Sequence, residues 1–66
     1  MKISDFVKPE IDYLLEQCNF TKEQLDFFKL RADDIPIEKC AEIMNISIST
    51  ANRISKKVNK KIEKVM

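Results

Sequence analysis

The stretch IEKCAEIMNISISTANRISK, residues 37–56, decides the fold of this chain. Its apolar residues recur at three- and four-residue steps, which predicts two short amphipathic helices joined by a tight turn. Ala41 is the small residue at which the two helix backbones approach each other. The chain has no glycine, so Asn45 must supply the left-handed turn conformation, and Ser47 is predicted to cap the second helix. The apolar residues predicted to be buried between these helices are Cys40, Met44, Ile46, Ala51 and Ile54.

The helix that starts after Ser47 is predicted to be long and basic. One apolar stripe continues through it, formed by Ile48, Ala51, Ile54, Val58, Ile62 and Val65. About 18 residues would give a rod about 27 Å long. Residues 47–66 carry six bases and one acid, whereas residues 1–46 carry six bases and ten acids, which together give the formal charge of +1. Such segregation of charge indicates that one element holds a polyanion.

The residues before this region predict two supporting helices. The first covers about residues 9–18. The second covers about residues 22–32 and begins with a capping box, in which Thr21 is followed three residues later by Gln24. Asp33-Asp34 breaks the chain before the next helix, and no alternating pattern predicts a strand. We therefore expect a single all-α domain, residues 1–66, with four helices in a compact arrangement.

These features resemble the helix-turn-helix of DNA-binding proteins, with the motif at about residues 37–56. The sequences FTKEQL (residues 20–25) and FKLR (residues 28–31) extend the likeness upstream. Together they resemble region 4 of bacterial sigma factors and the related small regulators of phages and prophages. The likeness covers about residues 20–62. It departs from the usual pattern at Asn45, where glycine is common, and at Pro36, where serine or threonine often caps the helix.

The resemblance implies that the fourth helix enters the major groove of double-stranded DNA. Asn52 has the chemistry to pair with adenine and Arg53 with guanine, and Ile48 suits a thymine methyl group. Serine and threonine hydroxyls and lysine side chains suit phosphate contacts, which give affinity without sequence information. The DNA-binding residues predicted in this way are Ser47, Ile48, Ser49, Thr50, Asn52, Arg53, Lys56, Lys57, Lys60 and Lys61.

Several alternatives remain open at the level of sequence. The Val58–Val65 part of the stripe packs either against the first helix, with Phe6 and Val7 beside it, or against a second copy in a homodimer. Arg53 pairs either with a base or with an acid of the body, such as Glu42. Ile48 lies either under the turn or toward DNA. The aromatic residues assigned to the core are Tyr13, Phe27 and Phe28.

The alternative function is a sigma-like protein-interaction module that binds RNA polymerase or another regulator through the acidic body. An enzyme is not expected, because the chain has no histidine or glycine and its acids are scattered along amphipathic helices. No cofactor or metal is implied. Cys18 and Cys40 are expected to be buried hydrophobic residues in a reducing compartment, with a disulfide between them as the alternative. No hydrophobic block indicates a signal peptide or a membrane span, so a cytoplasmic protein is expected.

Overall fold

A computed structural model describes residues 2–66, which form one short 3₁₀ turn and four α-helices. No strand occurs among these residues, so the all-α, four-helix prediction is confirmed. The helices expected at about residues 9–18 and 22–32 begin and end within a residue of their observed limits. The 3₁₀ turn covers Ile3–Asp5, and the helices are α1 (Lys8–Gln17), α2 (Lys22–Ala32), α3 (Ile37–Met44) and α4 (Ile48–Val65).

Side chains placed just before two of the helices stabilise their first turns. The Thr21 hydroxyl oxygen accepts a hydrogen bond from the Gln24 amide at 3.2 Å, and the Gln24 Oε1 accepts one from the Thr21 amide at 3.1 Å. This is the predicted capping box of α2. At α4 the Ser47 Oγ accepts the Thr50 amide hydrogen bond at 3.1 Å. Each cap satisfies donors that a helix start otherwise leaves without partners.

Two helices end in left-handed residues although the chain lacks glycine. Asp34 has φ 63° after α2, and Asn45 has φ 57° and ψ 47° after α3. Each brings the next amide back onto the last turn: Ile46 N–H bonds to the Ala41 carbonyl at 2.9 Å, in the pattern of a Schellman motif. The predicted role of Asn45 is confirmed, because short polar side chains tolerate this conformation best after glycine.

The core forms where α4 contacts the other three helices. Val58 and Ile62 are fully buried within this single chain, so the second half of the α4 stripe is intramolecular core. A dimer seam at these two residues would require the fold to open. The buried apolar residues are Ile3, Leu14, Cys18, Phe27, Phe28, Cys40, Ala41, Ala51, Ile54, Val58 and Ile62.

The structure corrects the expected core at its N-terminal edge. Phe27 and Phe28 are fully buried as predicted, but the prediction for Tyr13 is wrong because 48% of its surface is exposed. Phe6 packs on the core, whereas Val7 is exposed. Ile3 is buried instead, because the 3₁₀ turn places it against α2. No helix within residues 2–66 has the length and apolar character needed to cross a bilayer.

Both cysteines are buried free thiols, as their interpretation as small hydrophobic residues required. Burial raises the pKa of the Cys18 thiol, and the nearby Lys61 ammonium only partly opposes that rise. Burial also raises the pKa of Cys40, with Arg31 opposing it. The Ile35 carbonyl accepts hydrogen bonds from Arg31 Nη1 at 2.7 Å and from Cys40 Sγ at 3.5 Å. These contacts fix the corner between α2 and α3, and hence the position of α3 beside α4.

Candidate nucleic-acid interface

The side of α4 that faces away from the body carries a row of exposed polar and basic side chains. We call this row the outer face: Ser49, Asn52, Arg53, Lys56 and Lys60, all of them exposed. Their three- and four-residue spacing aligns them along one side of a helix. At 1.5 Å per residue the row is about 16 Å long. Lys57 is also exposed and lies beside it.

The outer face has no carboxylate partner within residues 2–66. The three salt bridges of this part of the chain join Lys8 to Asp12, Lys22 to Asp26, and Lys39 to Glu42, at 3.2 to 3.9 Å. All lie on the first three helices. Glu42, the acid considered as a partner for Arg53, therefore pairs with Lys39. The positive charges of Arg53, Lys56 and Lys60 are therefore available to an external anion.

The residues at the start of α4 divide between capping and exposure. Ser47 is exposed, and its hydroxyl both caps the helix and donates a hydrogen bond to the Thr50 Oγ1 at 2.9 Å. Thr50 is half-buried, whereas Ile48 is 52% exposed and lies outside the core. The alternative in which Ile48 packs under the turn is wrong. At this position its side chain is accessible for an apolar contact such as the one expected with a thymine methyl group.

Lys61 differs from the other basic residues of α4 because its ammonium is turned toward the body. Its Nζ donates hydrogen bonds to the Asn19 carbonyl and to the Gln24 Oε1, both at 2.6 Å. It also lies 6.0 Å from the centroid of the Phe20 ring. The same Gln24 oxygen belongs to the α2 capping box. Lys61 therefore ties α4 to the corner between α1 and α2.

Of the ten residues predicted to bind DNA, eight are exposed and two, Thr50 and Lys61, are half-buried. Sequence reasoning missed the internal role of Lys61. Its position three residues after the buried Val58 was a signal, since that spacing places it near the core side of the helix. Ile43, for which the sequence pattern predicted no role, lies away from the buried side of α3 and is 54% exposed.

Comparison of the chain with family models, curated proteins and solved structures found no match in any of the three.

Proposed function

We propose that this chain binds double-stranded DNA in a sequence-specific manner, as a small transcriptional regulator of phage or bacterial type. The observation that carries the proposal is the outer face of α4: its five residues are exposed, its charged members Arg53, Lys56 and Lys60 are all basic, and none of these three has a carboxylate partner within residues 2–66. An α-helix fits the major groove of B-form DNA, where each base pair presents a distinct pattern of donors and acceptors.

The first half of the outer face supplies the side chains that read bases. Asn52 and Arg53 are adjacent and exposed. Asparagine pairs through two hydrogen bonds with adenine, and arginine does so with guanine. Ile48 and Ser49, at the exposed start of the helix, supply an apolar contact and a short hydroxyl. In helix-turn-helix proteins the N-terminal residues of the recognition helix are the ones that reach base edges.

The second half of α4 supplies phosphate contacts. Lys56, Lys57 and Lys60 are exposed and follow the base-reading residues along the helix. Lysines in this position give affinity and register but do not distinguish sequences. We leave Lys61 out of this set, because its ammonium already bonds to the body. The Ser47 hydroxyl caps the helix and donates a hydrogen bond to the Thr50 hydroxyl, and phosphate is a further partner for both side chains.

The test begins with selection of binding sites from a randomised duplex pool. Fluorescence anisotropy then measures the affinity of the selected duplex over a range of salt concentrations. We expect saturable binding. The logarithm of the association constant should fall linearly with the logarithm of the salt concentration, with a slope of about −3 for three phosphate contacts at about −0.9 each. Failure to enrich any sequence, or affinity that is independent of salt, would contradict the proposal.

Two matched substitutions separate the two halves of the face. Arg53→Ala is expected to lose about 1–3 kcal/mol of discrimination at one base pair. Lys60→Ala is expected to weaken all duplexes alike and to reduce the salt slope by about 0.9. If each substitution reduces the affinity for selected and unselected duplexes by the same factor, α4 binds DNA without reading its sequence.

A further inference from the structure

The exposed side of α4 carries different side chains to the left and to the right of its middle. Ser49 and Lys56 are seven residues apart and define the middle line, because residues at that spacing lie almost directly above one another. With about 100° of rotation per residue, two rows of residues lie about 60° to either side of that line. One row is Arg53, Lys57, Lys60 and Lys64, and the other is Ile48, Asn52, Asn59 and Glu63.

We call the first row the basic edge, because each of its residues carries a positive charge. All of them are exposed, and none forms a salt bridge within residues 2–66. From Arg53 to Lys64 the basic edge is about 16 Å long at 1.5 Å per residue. Lys64, in the last turn of α4, is not among the residues that the sequence assigned to DNA.

We call the second row the base-free edge, because it contains neither lysine nor arginine. Its one charged group is the carboxylate of Glu63, the only acid in residues 47–66. Glu63 is exposed and forms no salt bridge within residues 2–66, although Lys60 precedes it by one turn. The exposed positive charge of α4 therefore lies on the middle line, at Lys56, and on one side of it.

Lys61 shows where the two edges lie relative to the rest of the fold. It follows the basic edge around the helix, by about 70° from the centre of that edge. Its ammonium bonds to the Asn19 carbonyl and to the Gln24 Oε1. The basic edge therefore runs along the side of α4 that is nearer the corner between α1 and α2, and the base-free edge runs along the other side.

The dimensions of DNA turn this difference between the edges into a difference between strands. A helix with its side chains is about 10–12 Å across, and the major groove of B-form DNA is about 12 Å wide. A helix that fills the groove turns one edge toward each phosphate strand. Each strand carries one phosphate for about every 3.4 Å of duplex axis, so an edge about 16 Å long faces several of them.

We propose that α4 forms ionic contacts with the phosphates of one DNA strand only, the strand that its basic edge faces. This inference rests on the proposed function and specifies how the same helix lies in the groove. Lys64 is a further phosphate contact, which adds about 0.9 to the magnitude of the salt slope expected for Lys56, Lys57 and Lys60. Glu63 is an orienting residue, because its carboxylate repels the phosphates of the second strand.

The test removes phosphate charges one at a time from the selected duplex. Each probe duplex carries a single neutral methylphosphonate in place of one phosphate, on one strand or the other, and anisotropy measures its affinity for the whole chain at low salt. We expect losses of about fivefold at neighbouring positions of one strand and no loss on the other. Losses of similar size on both strands would overturn the one-strand proposal alone. Absence of saturable binding to any duplex would overturn the proposed function as well.

A pair of lysine substitutions assigns the end of the contacted run. Lys64→Ala is expected to abolish the loss caused by the methylphosphonate at one end of that run and to reduce the salt slope by about 0.9. Lys8→Ala removes the same charge from an exposed lysine of α1, and it should leave both the positions and the slope unchanged. A set of sensitive positions that is identical in Lys64→Ala and in the wild-type chain would overturn the role of Lys64.

Exchange of the two neighbouring charges tests the assignment of the edges without changing the net charge. Glu63→Lys combined with Lys64→Glu moves one positive charge from the basic edge to the base-free edge, and both residues are exposed, so the core is left intact. We expect one sensitive position to disappear from the first strand and one to appear on the second. An exchange that alters no position on either strand would show that the two edges do not face different strands, and would overturn the proposal.

Discussion

One side of α4 is buried in the core and the opposite side is exposed to solvent, and both follow from the same helical period. Ala51, Ile54, Val58 and Ile62 face the body with at most 4% of their surface exposed, while the outer face is open to solvent throughout. Along this 18-residue helix the buried residues recur at three- and four-residue steps, and so do the exposed residues of the outer face. The comparison teaches that packing of the core side fixes the position of the backbone that carries the proposed site, because both sides belong to one helix.

The contrast is sharpest between two neighbouring lysines. Lys60 is exposed on the outer face, whereas Lys61 donates two short hydrogen bonds to the body. The side chains have the same chemistry, and the helical rotation of about 100° between them decides their surroundings. Charge counts along a sequence therefore overstate the number of basic residues that are free to meet a ligand.

The largest expected difference between the two sides concerns stability. Ile62→Ala removes a fully buried side chain and is expected to cost about 2–5 kcal/mol. The whole domain has roughly 3–10 kcal/mol of stability by its length, so this variant should be partly unfolded at 25 °C. Lys60→Ala should change stability by less than about 0.5 kcal/mol. Urea denaturation monitored by circular dichroism measures both, and equal effects would contradict the assignment of the two sides.

The second prediction compares Lys61→Met with Lys60→Met. Loss of the Lys61 ammonium removes two charge-assisted hydrogen bonds and is expected to cost about 1–2 kcal/mol of stability, with the salt slope of DNA binding unchanged. Lys60→Met should leave stability unchanged and reduce that slope by about 0.9. Denaturation midpoints and salt titrations measure the two effects. A reduced slope for Lys61→Met would place Lys61 at the phosphates instead.

The third prediction concerns the turn that sets the direction of α4. Asn45→Ala places a residue with poor tolerance for φ 57° at the end of α3, and is expected to cost about 1 kcal/mol. Asn59→Ala, within the regular part of α4, is the matched control and should be neutral or slightly stabilising. Thermal unfolding compares the two. An equal response would mean that the left-handed turn carries no cost for alanine.

The smallest expected effect is the pH dependence of stability through the buried thiols. Burial raises the folded-state pKa of Cys18 and Cys40. Their contribution to stability is therefore complete below the unfolded-state pKa of about 8.5 and is lost as the pH rises through the raised folded-state values. The urea concentration at the midpoint of unfolding should therefore decrease as the pH is raised from about 8 to about 9.5. The control, Cys18→Ala with Cys40→Ala, should show a smaller fall over the same interval.

Much of the fold was predictable because local signals agreed with one another. The Thr21–Gln24 capping box, the Ser47 cap and the turn at Asn45 act over three or four residues, so sequence spacing alone identifies them. The apolar stripe of α4 likewise follows from helical periodicity. Exposure of Asn52 and Arg53 follows because they lie opposite that stripe.

The failures arose where tertiary contacts decide the outcome. The sequence of residues 3–5 contains no signal for a 3₁₀ turn, and only its packing on α2 buries Ile3. Tyr13 looked like core by residue type, but the side of α1 on which it lies has no neighbour that covers it. The partners of Lys61, Asn19 and Gln24, are 42 and 37 residues away along the chain.

The central claim is that the outer face of α4 lies in the major groove of DNA. Methylation protection by dimethyl sulfate on a selected duplex tests it directly, because the reagent reaches guanine N7 in the major groove and adenine N3 in the minor groove. We expect protection of a guanine N7 by the wild-type chain and loss of that protection in Arg53→Ala. Protection confined to adenine N3, or a guanine pattern that Arg53→Ala leaves unchanged, would contradict it.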